Sequence, residues 1–125
     1  MSETNISNTA HFPSKHDRIG ANLAEFVYGC DEDNTLDLEV AIKQDGRVIL
    51  FHNRPFKKSL DWFEFSLKDS ILYFVVDDGK EKGGIPVTPN VAPHMQNTYQ
   101  ILTILLDNET GEAKEGKYIP LMILQ

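Results

Sequence analysis

Four oxygen-bearing side chains at alternate positions are the first candidates for chemistry in this sequence. They are Asp31, Asp33, Thr35 and Asp37. Their oxygens could converge on one hard cation, since Ca²⁺ takes six to eight oxygen ligands. The helix–loop calcium motif also requires Gly at its sixth position and Glu at its twelfth, where this chain has Leu36 and Ile42. We therefore expect a solvated loop that leads into a strand, with Asp31, Asp33 and Asp37 as the alternative metal ligands.

Histidine and cysteine offer no recognisable catalytic or zinc pattern. The chain contains His11, His16, His52, His94 and a single cysteine, Cys30. Zinc sites pair Cys and His ligands at close, regular spacings, and no such spacing occurs among these five residues. Acidic neighbours of Cys30 disfavour the thiolate that nucleophilic chemistry requires. We expect no cofactor and no convergent catalytic set, which favours a protein that is not an enzyme.

The segment Asp78–Asn97 stands out because it shows little alternation of polar and apolar residues. A structureless segment of this length is uncommon in a compact domain and is usually functional or mobile. Its Asp78 and His94 could perform acid–base chemistry if both faced one cleft. Its prolines would hold it extended. We expect this segment to contact a ligand or partner, through Asp78, Pro86, Pro89, His94 and Met95.

Trp62 is a further candidate contact residue. It shares one face of a predicted strand with Glu64 and Ser66, which indicates a partly exposed surface. Exposed aromatic side chains often mark contact surfaces. The alternative is that a helix packs over this face and makes Trp62 part of the core.

Six β-strands are predicted to position these residues. Period-two alternation and short apolar runs indicate strands at residues 36–42, 47–52, 60–67, 71–77, 98–106 and 117–124. Residues 15–28 show apolar residues at helical spacing and are predicted to form one helix, with a strand over 23–28 as the alternative. Residues 1–12 are polar and predict a disordered arm, which leaves residues 13–125 as a single domain.

Turn chemistry predicts how these strands pair. A two-residue loop at Asp45-Gly46 would set Ile42 opposite Ile49 on the core face. The second strand of the hairpin Leu60–Asp77 is apolar on both faces and is expected at the centre of the sheet. Pro120 lacks an N–H and predicts an edge strand or a bulge at 117–124. These features predict a mainly β fold, either an antiparallel sandwich or a small open barrel.

Charge and composition limit the classes of partner. The chain has 125 residues and a formal net charge of −7, which argues against binding to phosphate backbones and to anionic membranes. No apolar run reaches the roughly 18 residues that span a bilayer, and the N-terminus lacks the pattern of a secretory signal. A lone cysteine forms no intrachain disulfide. We therefore expect a cytoplasmic protein.

The sequence favours a non-enzymatic binding or protein-interaction module that presents the segment 78–97 from a β scaffold. Its partner would be another protein, or a second copy joined through the edge strand 117–124. One alternative is a small-molecule-binding or catalytic β-barrel whose pocket is capped by residues 78–97. Another is an acidic inhibitor or decoy of a basic partner.

Overall fold

The described residues of the domain form eight strands and one short helix. The computed structural model describes residues 21–26, 36–42 and 46–125, with the backbone path alone for 21–26 and 36–37. The elements are β1 Ala21–Phe26, β2 Leu36–Ile42, β3 Val48–His52, β4 Leu60–Ser66, β5 Ile71–Val76, β6 Glu81–Pro86, α1 Ala92–Met95, β7 Gln100–Leu106 and β8 Ala113–Leu124.

The strands form one sheet in the order β1-β2-β3-β7-β8-β4-β5-β6. The sheet curls into an open barrel, and its edge strands β1 and β6 approach each other. This confirms the predicted mainly β open-barrel class. The expected antiparallel pairing is wrong at two places, because β3 pairs in parallel with β7 and β4 pairs in parallel with β8.

Strand β8 lies inside the sheet and not at its edge, which corrects the position predicted from Pro120. Its first part pairs with β7 as far as Pro120, and its last four residues pair with β4. The Leu121 N–H bonds to the Tyr99 carbonyl beyond the start of β7. Since successive backbone nitrogens of a strand point to opposite sides, the nitrogen of Pro120 points away from β7. The β4 ladder begins only at Leu121, so Pro120 removes no ladder hydrogen bond on that side.

The concave face of the sheet encloses a packed core. Phe63 and Phe74 meet edge-to-face with ring centroids 5.1 Å apart, a favourable geometry for aromatic pairs. Fully or nearly fully buried apolar residues from β2 to β8 complete this core: Leu38, Val40, Val48, Leu50, Phe63, Phe65, Leu72, Phe74, Ile85, Val87, Val91, Met95, Ile101, Ile119 and Leu121. Side chains therefore fill the interior of the barrel.

The segment 78–97 is more ordered than its sequence predicts. It contains β6, which pairs with β5, and the helix α1. Its apolar residues Val87, Val91 and Met95 turn inward and join the core. The expected structureless loop is therefore a strand, a helix and a set of apolar residues that pack into the core.

The register between β2 and β3 differs by one residue from the predicted one. Ile42 pairs with Val48, and Val40 pairs with Leu50. Gly46 has φ of +89°, a conformation that glycine adopts readily in hairpin turns. A shift of one residue exchanges the faces of a strand, so Val48 faces the core.

A second apolar cluster lies on the convex face as a consequence of this register. It consists of Ala41, Ile49, Phe51, Leu102, Ile104 and Ala113. All six side chains are buried. The interior strands β3 and β7 therefore carry buried apolar residues on both faces, which is the property expected of interior strands.

The helix predicted over residues 15–28 is wrong for residues 21–26, which form β1. Asn22 of this strand pairs with Val40 of β2. Gly20 and Asn22 are poor helix formers, and β2 offers an edge with which the segment pairs. The remainder of that range, and the predicted arm 1–12, lie outside the described residues.

Strand β6 follows a hairpin turn that the alternation of polar and apolar residues does not reveal. Asp77, Asp78 and Gly79 have φ of 59°, 58° and 80°, and the Lys80 N–H bonds to the Asp77 carbonyl at 3.1 Å. Positive φ at both central residues is the mark of a type I′ hairpin turn, for which Asp-Gly is a preferred dipeptide. The sequence therefore contains two Asp-Gly hairpin signals, of which 78–79 joins β5 to β6.

Candidate binding cleft

The predicted contact residues do not form one site. Trp62 and Asp78 lie near the turn of the β5–β6 hairpin, whereas Pro86 pairs with Ile71 at the hairpin's other end. Pro89 and His94 are exposed on the segment that follows β6. Met95 has no exposed surface and packs in the core, so it is not available to a partner.

Trp62 is half-buried on the convex face, which settles its environment in favour of the partly exposed alternative. Its Nε1 donates to Glu64 Oε2 at 3.0 Å, and Lys82 Nζ donates to Glu64 Oε1 at 2.7 Å. The indole lies against Gly79, where an added Cβ would stand 3.0 Å from its Cη2 atom. The hydrogen bonds from Lys82 and then Trp62 lower the pKa of Glu64. These contacts hold the β5–β6 turn and give Trp62 a structural role.

The two histidines that the structure describes, His52 and His94, do not form a catalytic arrangement. His52 is buried, and its Nδ1 donates to the Arg54 carbonyl at 2.9 Å. Its ring lies 5.0 Å from that of Phe56, and burial lowers its pKa. His94 is exposed, and its carbonyl accepts from Thr98 Oγ1 at 2.7 Å.

Metal binding has no support within the described part of the chain. Residues 21–26, 36–42 and 46–125 contain no group of three His, Cys, Asp or Glu arranged to hold an ion. Asp31 and Asp33 lie outside these ranges, and only the backbone of Asp37 is described.

A cleft of about 440 Å³ opens where β3 and β7 begin beside β8. It is lined by Gly46, Arg47, Val48, Ile49, Asn97, Thr98, Tyr99, Gln100, Leu102 and Tyr118. Ile49, Leu102 and Tyr118 stand side by side across the three strands. Ile49 and Leu102 belong to the buried convex cluster. The cleft therefore has an apolar floor and a polar rim.

Two tyrosines and an arginine dominate the rim of this cleft. Tyr99 is 85% exposed and Tyr118 is 49% exposed. Arg47 is exposed, and its Nη1 donates to the Tyr118 hydroxyl at 3.4 Å. An aromatic ring as open as that of Tyr99 is available for contact with another molecule.

Backbone hydrogen bonds to buried residues hold the chain around the cleft. The Tyr99 carbonyl accepts from the Leu121 N–H at 2.8 Å, and the Thr98 N–H donates to the Met95 carbonyl at 3.1 Å. Met95 itself is buried. The segment that leads to Tyr99 is therefore anchored inside the barrel and presents its tyrosine outside it.

Sequence reasoning missed these residues for identifiable reasons. The predicted strand 98–106 includes Tyr99 among its alternating residues, whereas β7 begins at Gln100. Tyr118 alternates with the buried Ile119 and Leu121. That alternation predicts an outward Tyr118, followed by Pro120 and Met122 along the same exposed line.

No helix among the described residues has the length and apolarity needed to cross a bilayer. Comparison with protein-family models, with curated proteins and with solved structures found no match to this chain.

Proposed function

We propose that this protein is a non-enzymatic binding module whose contact site is the cleft bounded by Arg47, Tyr99 and Tyr118. The exposure of Tyr99, at 85%, is the observation that carries the proposal. Tyrosine and arginine are enriched among the residues that dominate binding energy in protein interfaces. Tyr99 and Tyr118 bring large, rigid contact area at low entropic cost.

A rigid support under the cleft favours binding without rearrangement. The floor residues Ile49 and Leu102 are buried, and the strands that carry them, β3 and β7, are interior strands of the sheet. Preformed sites lose less conformational entropy when they bind. The cleft is therefore suited to a partner that fits it as it stands.

In this proposal the segment 78–97 positions the chain that leads to the contact site. Its buried residues anchor the chain, and its exposed Pro89 and His94 lie on the path that leads to Tyr99. A partner protein is favoured over pairing through an exposed strand. The edge strand β6 carries Lys82 and Pro86, and both residue types oppose strand addition.

Site-specific photocrosslinking tests the proposal. A photoreactive phenylalanine analogue at position 99 should capture a defined partner, and the same probe at Lys80, in the exposed β5–β6 turn, should not. The purified partner should then bind wild-type protein and lose affinity at least tenfold for the double variant Tyr99→Ser, Tyr118→Ser. Equal capture at both positions, or equal affinity for the variant, would refute it.

A small-molecule site is the second candidate function. The volume of the cleft, about 440 Å³, lies within the range of ligand pockets, which is roughly 300–1,000 Å³. The cleft lies on the convex side, while the interior is filled by side chains. We place this candidate in the cleft and not beneath residues 78–97.

An acidic decoy of a basic partner is the third candidate. The net charge of −7 supports it, and it predicts binding that weakens steeply with salt. A cytoplasmic location is part of all three proposals.

A further inference from the structure

Strand β8 changes partner along its length, and one edge of its first part has no partner strand among the described residues. Residues 113–120 pair with β7, and the ladder to β4 begins only at Leu121. Because the Leu121 N–H bonds to the Tyr99 carbonyl, the backbone groups of Gly116 and Tyr118 point to the side opposite β7. A strand edge of this kind is a template for pairing with another strand.

The first residues of β4 are held by the β5–β6 turn and not by β8. The Gly79 N–H donates to Asp61 Oδ2 at 3.0 Å, and the indole of Trp62 lies against Gly79. The pairing of β4 with β5 is irregular between Leu60 and Trp62. The start of β4 therefore follows the β5–β6 hairpin and leaves the first part of β8 without a second ladder.

Two features limit this free edge. At one end lies Pro120, whose nitrogen points away from β7 and has no hydrogen to donate. At the other end the register with β7 shifts between Glu115 and Ala113, which makes Lys114 the extra residue of a bulge. The free edge is therefore the stretch Lys114–Tyr118, with the sequence KEGKY and Gly116 at its centre.

An antiparallel copy of this free edge matches it in charge. When Gly116 lies opposite Gly116 of a second copy, Glu115 faces Lys117 of that copy and Lys117 faces its Glu115. These are non-hydrogen-bonded positions, where facing side chains approach most closely and opposite charges stabilise the pairing. Glu115 and Lys117 are exposed, and neither makes a salt bridge within the described part of the chain.

We propose that two copies of this chain associate through the free edge of β8, as antiparallel strands about a two-fold axis at Gly116. This register satisfies both charges, whereas an axis at Glu115 or at Lys117 would place like charges opposite each other. Strand β6 lacks such a match, and its Lys82 and Pro86 oppose strand addition. The association is isologous and closes at two copies.

The dimer goes beyond the proposed function and adds a residue to the rim of the cleft. Tyr118 lies at the end of the free edge and also lines the cleft. In the dimer it stands opposite Lys114 of the second copy, whose ammonium group can lie over the tyrosine ring. A ladder this short buries less area than the ~1,200–2,000 Å² of standard interfaces. We therefore expect a dimer that dissociates on dilution.

Sedimentation velocity over a concentration series tests this inference. At ~0.15 M salt the overall negative charge of each copy is screened beyond about 8 Å, while contacting pairs keep their attraction. Glu115→Lys should raise the dimer dissociation constant about tenfold or more, because it places lysines opposite each other at both pairs. Lys117→Glu should do the same with glutamates. Lys80→Glu, a charge reversal in the exposed β5–β6 turn, should dimerise as the wild type does.

Two rescue experiments separate the charge match from a general effect of mutation. The double variant Glu115→Lys, Lys117→Glu keeps both opposite-charge pairs and should dimerise as the wild type does. An equimolar mixture of the two single variants should form a heterodimer, because each pair then joins a lysine to a glutamate. All monomers should melt at similar temperatures, since Glu115 and Lys117 are exposed.

Three outcomes would overturn the inference: a wild-type chain that stays monomeric at millimolar concentration, a dimer unchanged in both single variants, or no recovery in either rescue experiment. These results are separable from a failure of the proposed function, because Glu115 and Lys117 do not line the cleft. A monomeric wild type that still captures a partner at position 99 would leave the binding module standing.

Discussion

Replacement of Met95 by alanine tests whether the segment 78–97 packs into the core or lies on the surface as a loop. Met95 has no exposed surface and contacts the core from the end of α1. The substitution removes three heavy atoms from that site. At about 0.8 kcal/mol per buried methylene the transfer loss is roughly 2.4 kcal/mol, and the cavity left behind raises the cost toward ~3 kcal/mol.

Such a loss is a large share of the stability of a domain, which is typically about 5–15 kcal/mol. For a chain of this size it corresponds to a fall in Tm of about 10 °C. Urea unfolding followed by circular dichroism measures the change at constant m-value. His94→Ala is the matched control, because the adjacent His94 is exposed and should change the unfolding free energy by no more than about 0.5 kcal/mol.

A cost below about 1 kcal/mol for Met95→Ala would refute the reasoning, because it would mean that the site lies outside a packed core. An equal cost for His94→Ala would indicate instead that both substitutions destabilise the helix α1 itself. Val91→Ala should follow Met95→Ala in direction, since Val91 is also fully buried.

Three further predictions concern single residues. Burial lowers the pKa of His52 below 6.5, so below that pH the unfolded chain binds more protons than the folded chain. The unfolding free energy should therefore fall as pH drops from 7 to 5, by at most ~1.4 kcal/mol per pH unit. In urea unfolding, the free energy of His52→Asn should depend less on pH. Gly84→Ala should cost about 1–3 kcal/mol in thermal melts, because its Cβ would stand 2.7 Å from Ile71 Cγ2 and 2.9 Å from Tyr73 Cδ1; a neutral result would contradict this packing. Glu64→Gln should cost less than ~1 kcal/mol in the same assay, since its partner Lys82 is exposed.

Most strands could be predicted from the alternation of polar and apolar residues, because one face of most strands is buried. Leu38 and Val40 face the core as their spacing predicts, and so do Phe63 and Phe65. Strand β6 escaped prediction because its sequence, EKGGIP, lacks alternation and its pairing is supplied by β5. Strand order was not predictable, since the parallel pairs join strands that are distant in sequence.

The register error at β3 has a clear physical origin. Five consecutive residues of β3 are buried, so alternation is absent and does not show which face lies inward. The dipeptide Asp45-Gly46 fits a two-residue loop and also the end of a three-residue loop. The cleft was missed for a related reason, because its floor residue Ile49 lies on the face that the predicted register assigned to the core.

The change of partner along β8 makes the two halves of the barrel a single cooperative unit. Opening β8 would break the ladder to β7 and the ladder to β4 together. We therefore expect the amide hydrogens of its ladders to exchange with solvent only through global unfolding, whereas the local hairpin β5–β6 opens at lower cost. Both parallel pairings also close long loops, which slows folding. We therefore expect the strand that supports the cleft to couple the folding of the two halves of the domain.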